Sequence, residues 1–192
     1  MEHKAYILRT CKADMSSRNG FIWPREGIAE CPDWKPTKEC GNGLHGALWG
    51  NGDGSLLDWG SYAVWIVAGV DEWIDLDGKV KFPRADVVFA GTRADAIDRL
   101  VTLGATGAII GGTATAGDGG TATAGDGGTA TAGDYGTATA GYGGTATAAD
   151  GVTLCLSFWD GKRHSIIIGY VGEEGVKPNV AYRVRDGKLV EA

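Results

Sequence analysis

The middle of the chain alternates polar and small apolar residues with a strict period of two. Five octads between residues 111 and 150 each contain Thr-Ala-Thr-Ala, and residues 151–158 keep the frame with a different filling, GVTLCLSF. A period of two is typical of a strand whose two faces meet different surroundings. Each octad therefore predicts one short strand, with its alanines on one face and its threonines on the other.

The exact repetition of the octad predicts a solenoid, in which each unit stacks on its neighbours. The octads read GGTATAGD three times, then YGTATAGY and GGTATAAD. One strand and one turn cannot close a coil but two can, so we expect 16-residue coils with two strands each, stacked about 4.8 Å apart. Alanine methyl groups suit a thin interior, and the threonines then face outward. A flexible linker is the alternative, because low-complexity stretches often stay disordered.

The residues before the repeat show mixed periodicities that predict an α+β domain. This segment holds six of the seven tryptophans, so we expect the main core here. A helix is predicted over residues 93–103, with Thr92 as its N-cap and Asp95 at its third position, and we expect it to cover the open end of the first coil. Strands are predicted over residues 5–9, 20–23, 62–70, 80–82 and 87–90.

After the repeat, two Asp-Gly pairs favour hairpin turns between strand-like runs. The first pair separates residues 154–159 from 164–170, and the second separates 180–185 from 188–191. We therefore predict a small C-terminal sheet that docks on the solenoid. The expected fold class is an α+β N-terminal domain over residues 1–104, a short β-solenoid with two strands per 16-residue coil over 105–158, and a C-terminal antiparallel β cap over 159–192.

Composition and charge restrict the expected cellular location of the protein and the classes of partner it can bind. The net charge is −6, which argues against direct binding to nucleic acid phosphates. No apolar run approaches the roughly 20 residues that span a membrane, so no membrane partner is expected. The first residues lack the layout of a signal peptide, and four scattered cysteines do not suggest a disulfide framework. These features predict a cytoplasmic protein.

The threonines of octads one, three and five are expected to share one face of the solenoid. We call them the threonine array; its members are Thr113, Thr115, Thr129, Thr131, Thr145 and Thr147. The segment AGYGGTAT at residues 140–147 resembles the AGYGS-T-x-T repeat of bacterial ice nucleation proteins. This resemblance implies a β-solenoid with threonine ladders, and it makes ice or surface binding one possible function.

Acidic residues form two tracts that contain no lysine or arginine, one between Lys38 and Lys79 and one in the repeat. Such tracts can imitate nucleic acid and occupy a basic groove. The alternatives are ordinary solubility charge and Asp-Gly turns. Calcium binding is disfavoured, because a period of eight does not fit the calcium-binding nonapeptide. The candidate partner-binding residues are Asp53, Asp58, Asp71, Glu72, Asp75, Asp118, Asp126, Asp134 and Asp150.

Signals for catalysis and metal binding are weak. His45 in the segment GLHG, together with Arg9 or Asp58, could form an ADP-ribosyltransferase-like site. Cys31, Cys40 and His45 lack the spacing of zinc ligands, and buried free thiols are the better interpretation of the cysteines. We expect no enzyme, no cofactor and no metal.

The chain as a whole resembles a group of uncharacterised phage and prophage proteins. The resemblance rests on the GLH segment, the threonine-alanine-glycine repeat and the closing segments GYVGEEGVKPN, YRV and DGKLVE. It implies a small, host-facing protein inside a bacterial cell. The leading prediction is therefore a non-enzymatic, phage-encoded inhibitor that engages a host nucleic-acid-binding complex, in the manner of an anti-CRISPR protein or a DNA mimic.

Two other functions stay open at this point. One is the ice- or surface-binding threonine array, and the other is an ADP-ribosyltransferase-like enzyme in the N-terminal domain. Exposed strands at the edge of the solenoid also make a homodimer possible.

Overall fold

The computed structural model describes residues 3–192. Over these residues the chain is mostly β, with several sheets and a single α-helix, α1 (Arg93–Thr102). It divides into two compact units, an N-terminal one that ends at Thr106 and a repeat unit that begins at Gly107. Within this part of the chain, no helix has the length and apolar character needed to cross a membrane.

The strands of residues 3–106 form one seven-stranded antiparallel sheet, in the order β2-β7-β4-β1-β3-β6-β5. The central strands carry the most deeply buried side chains, among them Ile7, Leu8 and Ile66. The strands are β1 (Ala5–Cys11), β2 (Gly27–Glu30), β3 (Leu44–Leu48), β4 (Val64–Val70), β5 (Ile74–Asp75), β6 (Val80–Phe82) and β7 (Arg84–Gly91).

Helix α1 packs against β4, β7 and β1 of this sheet. The Thr92 side chain accepts a hydrogen bond from the Asp95 backbone N–H, as an N-cap does. The helix buries Ala96, Ile97 and Leu100, which lie on one face at helical spacing. Its apolar face is therefore used within the N-terminal unit, and its proposed role as a cap on the repeat stays a prediction.

One strand expected in this unit is wrong. Residues 20–23 form the end of a tight turn that makes only an isolated bridge between Ser16 and Ile22. Gly20 lies in the left-handed region with φ 81°, which ends extended pairing at that point. Trp23 is held instead by its backbone N–H, which donates to the Met15 carbonyl at 3.0 Å.

The strands of residues 107–192 form two sheets. Every second octad contributes a strand to the same sheet, and strands 16 residues apart pair in parallel and in register. This pairing fits a solenoid-like arrangement. The strands are β8 (Thr113–Ala116), β9 (Thr121–Ala124), β10 (Thr129–Ala132), β11 (Thr137–Ala140), β12 (Thr145–Ala148), β13 (Thr153–Trp159), β14 (His164–Tyr170), β15 (Ala181–Arg185) and β16 (Lys188–Glu191).

The alanines of the repeat line the interior between the two sheets. Ala130, Ala138 and Ala146 are completely buried, because their methyl groups point into this interior. Leu154 and Leu156 of the sixth octad take the places that alanines hold in β11 and are also buried.

The C-terminal residues do not form the separate small sheet expected from the sequence. The hairpin β13–β14 extends one sheet to the order β14-β13-β11-β9, and the hairpin β15–β16 extends the other to β16-β15-β12-β10-β8. In the first hairpin, β13 pairs in parallel with β11, and β14 pairs antiparallel with β13. In the second hairpin, β15 pairs antiparallel with β12. The C-terminal segment therefore covers the strand edges at this end of the repeat unit.

Candidate functional site

The most regular surface of the repeat unit consists of threonines. On β8, β10 and β12, Thr129 pairs with Thr113 on one side and with Thr145 on the other, and Thr131 pairs in the same way with Thr115 and Thr147. The structure thus brings all six members of the threonine array together as two rows of three. Strand geometry sets the rows about 6.8 Å apart and neighbours within a row about 4.8 Å apart.

The opposite sheet carries a second, less regular face. Thr121, Thr137 and Thr153 form one row, but the other row runs from Thr123 through Thr139 to Cys155. A sulfur atom therefore replaces the third hydroxyl. The next strand, β14, adds exposed apolar side chains beside this face, namely Ile166, Ile168 and Tyr170.

The aspartates at the turns of the repeat hold successive coils together. The carboxylate of Asp118 accepts a hydrogen bond from the Asp134 backbone N–H at 3.1 Å, and that of Asp134 accepts from the Asp150 N–H at 3.2 Å. On the other edge, Asp126 accepts from the Tyr142 N–H at 2.9 Å. Each bond joins residues 16 positions apart. Asp118, Asp126 and Asp134 thus have a structural role, and partner binding by the repeat aspartates stays a prediction.

We expect replacement of Asp134 by alanine to lower the free energy of unfolding of the repeat unit by about 1 kcal/mol, the usual value of one hydrogen bond. Asp134→Asn keeps the acceptor oxygen and removes like-charge repulsion along the edge, so its stability should be close to that of the parent chain. Urea unfolding followed by circular dichroism measures both. Equal losses for alanine and asparagine would contradict the role of the acceptor.

The acidic residues of the N-terminal unit also serve local turns. Asp53 caps the short 3-10 helix Gly54–Leu56 by accepting from the Ser55 N–H. The carboxylates of Asp58, Asp71 and Asp75 accept from the backbone N–H groups of Gly60, Lys4 and Asp77, respectively. Glu72 is exposed. Four of the five candidate partner-binding residues in this unit thus have local contacts, and their partner-binding role stays a prediction.

His45 lies on β3 and is part of an electropositive cluster. The Arg9 Nη1 donates to the His45 carbonyl oxygen at 3.1 Å. Burial lowers the pKa of His45 from 6.5 to about 4, and the charges of Lys79, Arg9 and Lys81 add to this fall. Asp58, suggested as a catalytic partner, instead accepts from Gly60. Within residues 3–192, no three His, Cys, Asp or Glu side chains are grouped to hold a metal ion.

The lowered pKa of His45 predicts a pH-dependent stability of the N-terminal unit. Between pH 6.5 and about 4 the unfolded chain binds a proton at this histidine and the folded chain does not, so stability falls as the pH is lowered through this window. Tryptophan fluorescence during urea unfolding measures the slope, and an NMR titration of the histidine gives its midpoint. His45→Gln should reduce the slope, whereas the same change at His164, which belongs to the repeat unit, should leave it intact. A His45 midpoint near 6.5 would contradict the prediction.

The four cysteines differ in exposure and form no disulfide: Cys11 is buried, Cys31 and Cys155 are half-buried, and Cys40 is exposed. The expectation of buried thiols is therefore wrong for Cys40, whose sulfur accepts a hydrogen bond from the Lys79 ammonium at 3.2 Å.

The geometry places the repeat unit in the class of repeat folds that present rows of threonine on one face. The similarity of the chain to known proteins agrees with this class. Half of the chain is homologous to the repeat region of ice nucleation proteins. The chain is 46% identical over 100 residues to ice nucleation protein InaU of Pantoea ananas, which is 50% of this chain and 10% of that protein. It is 46% identical over 100 residues to an ice nucleation protein of Enterobacter agglomerans, 50% of this chain and 8% of that one.

A third relative, an ice nucleation protein of Pseudomonas fluorescens, is 42% identical over 98 residues, covering 49% of this chain and 8% of that protein. The chain thus spans a tenth or less of the length of these relatives. Residues 5–98 match a domain of unknown function, DUF7666. No solved structure matches the chain.

These similarities correct two predictions made from the sequence. The phage-encoded inhibitor of a host nucleic-acid-binding complex is wrong as the main function, because the homologous proteins are named for ice nucleation. The expected cytoplasmic location is wrong on the same ground, since the relatives are named for an activity on ice and not for a role inside the cell. The resemblance to phage proteins stays a prediction.

Proposed function

We propose that the repeat forms a short β-solenoid that binds ice through the threonine array. The observation that carries this proposal is the register of β8, β10 and β12, which repeats the same pair of threonines on three adjacent strands. The homology of half the chain to proteins named for ice nucleation supports it.

A periodic row of threonines can hold water in an ordered layer. Each side chain presents a methyl group, which restricts the orientation of first-shell water, beside a hydroxyl that donates and accepts hydrogen bonds. Because the strands are parallel and in register, every pair repeats the same two groups at the same spacing. Water ordered by one strand then continues onto the next, and this layer can join the surface of an ice crystal.

The size of the face favours adsorption to existing ice over the nucleation of new crystals. Three strands at the spacings given above make a patch of roughly 100–200 Å². An embryo of ice must outgrow the cost of its own surface, which demands a template much larger than this. The relatives are at least ten times as long as the segment they share with this chain.

Partitioning of the full chain into slowly growing ice tests the proposal directly. We expect the ice fraction to be enriched in the protein relative to a non-binding protein of similar mass and charge added to the same solution. Exclusion of both proteins from the ice to the same degree would overturn the proposal. Shaping of a single crystal at the melting point gives an independent readout.

A further inference from the structure

A cavity of about 750 Å³ lies within the N-terminal unit, beside strands β1 and β3. Arg9 and His45 reach it from these strands, Phe21 and Trp23 from the turn before β2, and Lys79 from the segment before β6. None of the lining residues belongs to the repeat. The volume is in the range of pockets that bind small molecules.

Three side chains that line this cavity each have a buried polar atom with no hydrogen-bond partner among the described residues: Arg9 Nε, Trp23 Nε1 and His45 Nε2. Buried polar groups are almost always paired, and each one left unpaired costs about 1–3 kcal/mol. Indole and guanidinium nitrogens only donate, whereas His Nε2 donates or accepts according to its tautomer. The missing partner must therefore supply acceptor atoms.

The charge of the wall also lacks a partner. The Arg9 guanidinium lies 4.0 Å from the centre of the Trp23 ring, and its Nη1 donates to the His45 carbonyl oxygen. Burial lowers the pKa of Arg9, an effect that the nearby Cys11 partly offsets. Over residues 3–192 Arg9 forms no ion pair with a carboxylate, and a buried charge without a counter-charge is costly.

The carboxylates that line the cavity already have partners. Asp33 accepts from the Asn42 Nδ2 at 2.6 Å and from the Cys31 thiol, and Asp53 accepts from the Ser55 N–H. The remaining wall is partly apolar, with Phe21 and Leu57 among its members. A negatively charged group attached to an apolar body fits this combination.

We propose that the cavity binds a small organic anion, whose carboxylate or phosphate oxygens accept hydrogen bonds from Arg9 Nε and Trp23 Nε1 and whose apolar part packs against Phe21 and Leu57. The anion supplies both the missing acceptor atoms and the missing negative charge. Trp23 stacks beneath the guanidinium and donates its own N–H, so it holds the cation in place and contacts the ligand. This site is independent of ice binding by the threonines.

Calorimetric titration of the full chain with four probes tests the proposal. Benzoate and phenyl phosphate carry the two kinds of anionic group on the same ring, benzyl alcohol is the neutral analogue, and inorganic phosphate lacks the ring. We expect saturable binding of benzoate or phenyl phosphate, at least about tenfold tighter than that of benzyl alcohol, a difference of about 1.4 kcal/mol. The tighter of the two anions identifies the group. No binding of either anion, or equal binding of benzyl alcohol, would overturn the proposal.

A matched pair of variants locates the site. Trp23→Phe keeps a ring beneath Arg9 but removes the indole N–H, and it should weaken anion binding about two- to tenfold, as expected for one lost hydrogen bond. Trp73→Phe is the control, because Trp73 packs against the same core but does not line the cavity. If Trp23→Phe does not fold, His45→Leu is the substitute variant, because it removes another of the three unpaired atoms. Equal affinities in the parent chain and in the folded cavity variant would also overturn the assignment.

Discussion

Replacement of Thr129 and Thr131 by lysine should abolish enrichment of the protein in ice. Both residues lie on β10, the central strand of the threonine array, with a threonine strand on each side. Lysine puts a long, mobile and strongly hydrated ammonium where the layer of ordered water must be continuous. We expect the ice fraction to fall to that of a non-binding protein of the same size. Ice-affinity partitioning and crystal shaping measure this loss.

The same change on the other sheet is the matched control. Thr137 and Thr139 hold the corresponding central positions on β11, in the face whose second row ends in Cys155. All four threonines point away from the buried alanines, so either double substitution should leave the fold intact. We expect Thr137→Lys with Thr139→Lys to retain most of the activity. If the two double variants lose ice binding equally, the threonine array is not the surface that binds ice.

Gly136→Ala should destabilise the repeat unit by about 3 kcal/mol. A Cβ atom at Gly136 would lie 2.6 Å from the Gly120 carbonyl oxygen in the coil beneath, which is closer than such atoms approach. The adjoining backbone must move, and overpacking of this kind typically costs about 1–3 kcal/mol or more. The carbonyl that the new methyl group meets also accepts the Thr137 N–H at 2.9 Å, so a bond between coils is strained as well. Hydrogen exchange of the repeat amides measures the loss without interference from the N-terminal unit.

Gly143→Ala provides the comparison at a neighbouring position of the octad. Gly143 has φ 68°, and among the described residues other than its two chain neighbours no atom lies within 4 Å of the place that an alanine methyl group would take. Alanine therefore meets only the backbone cost of about 1–2 kcal/mol. Tyr135 stands at the same octad position with φ 57°, which shows that the position accepts a side chain. A larger loss for Gly143→Ala than for Gly136→Ala would contradict the packing explanation.

The repeat is the part of the chain that is easiest to predict from the sequence, because the pattern of each octad indicates its strand, its turn and the residues that point inward. The hairpins are also predictable where Asp-Gly pairs permit positive φ, as at Asp186 and Gly187 with φ 50° and 69°. The sequence does not show which sheet each hairpin joins. A strand of alternating polar and apolar residues can pair in a separate sheet or extend an existing one, and local pattern does not distinguish the two.

In the N-terminal unit, the predicted helix and most of the predicted strands are observed, but β2 and β3 were not predicted, for a related reason. β2 and β3 contain glycine and alanine at positions where a strand signal requires larger side chains, and neighbours distant in sequence hold them in place. The cavity is not foreseeable either. The sequence suggests Arg9 and His45 as partners, but the role of Trp23 depends on a turn that places its indole beneath a guanidinium 14 residues earlier. The spacing of these residues in the sequence does not predict the contact between Arg9 and Trp23.

The pairing of strands 16 residues apart restricts how this chain can change in length. Insertion or deletion of a single octad would transfer every later strand to the opposite sheet, and both closing hairpins would then meet the wrong partners. A pair of octads adds one complete coil, leaves every junction unchanged and lengthens each threonine row by one member. Tandem duplication in units of two octads is therefore the natural step by which such a gene can grow, and a designer can enlarge the face by the same increment.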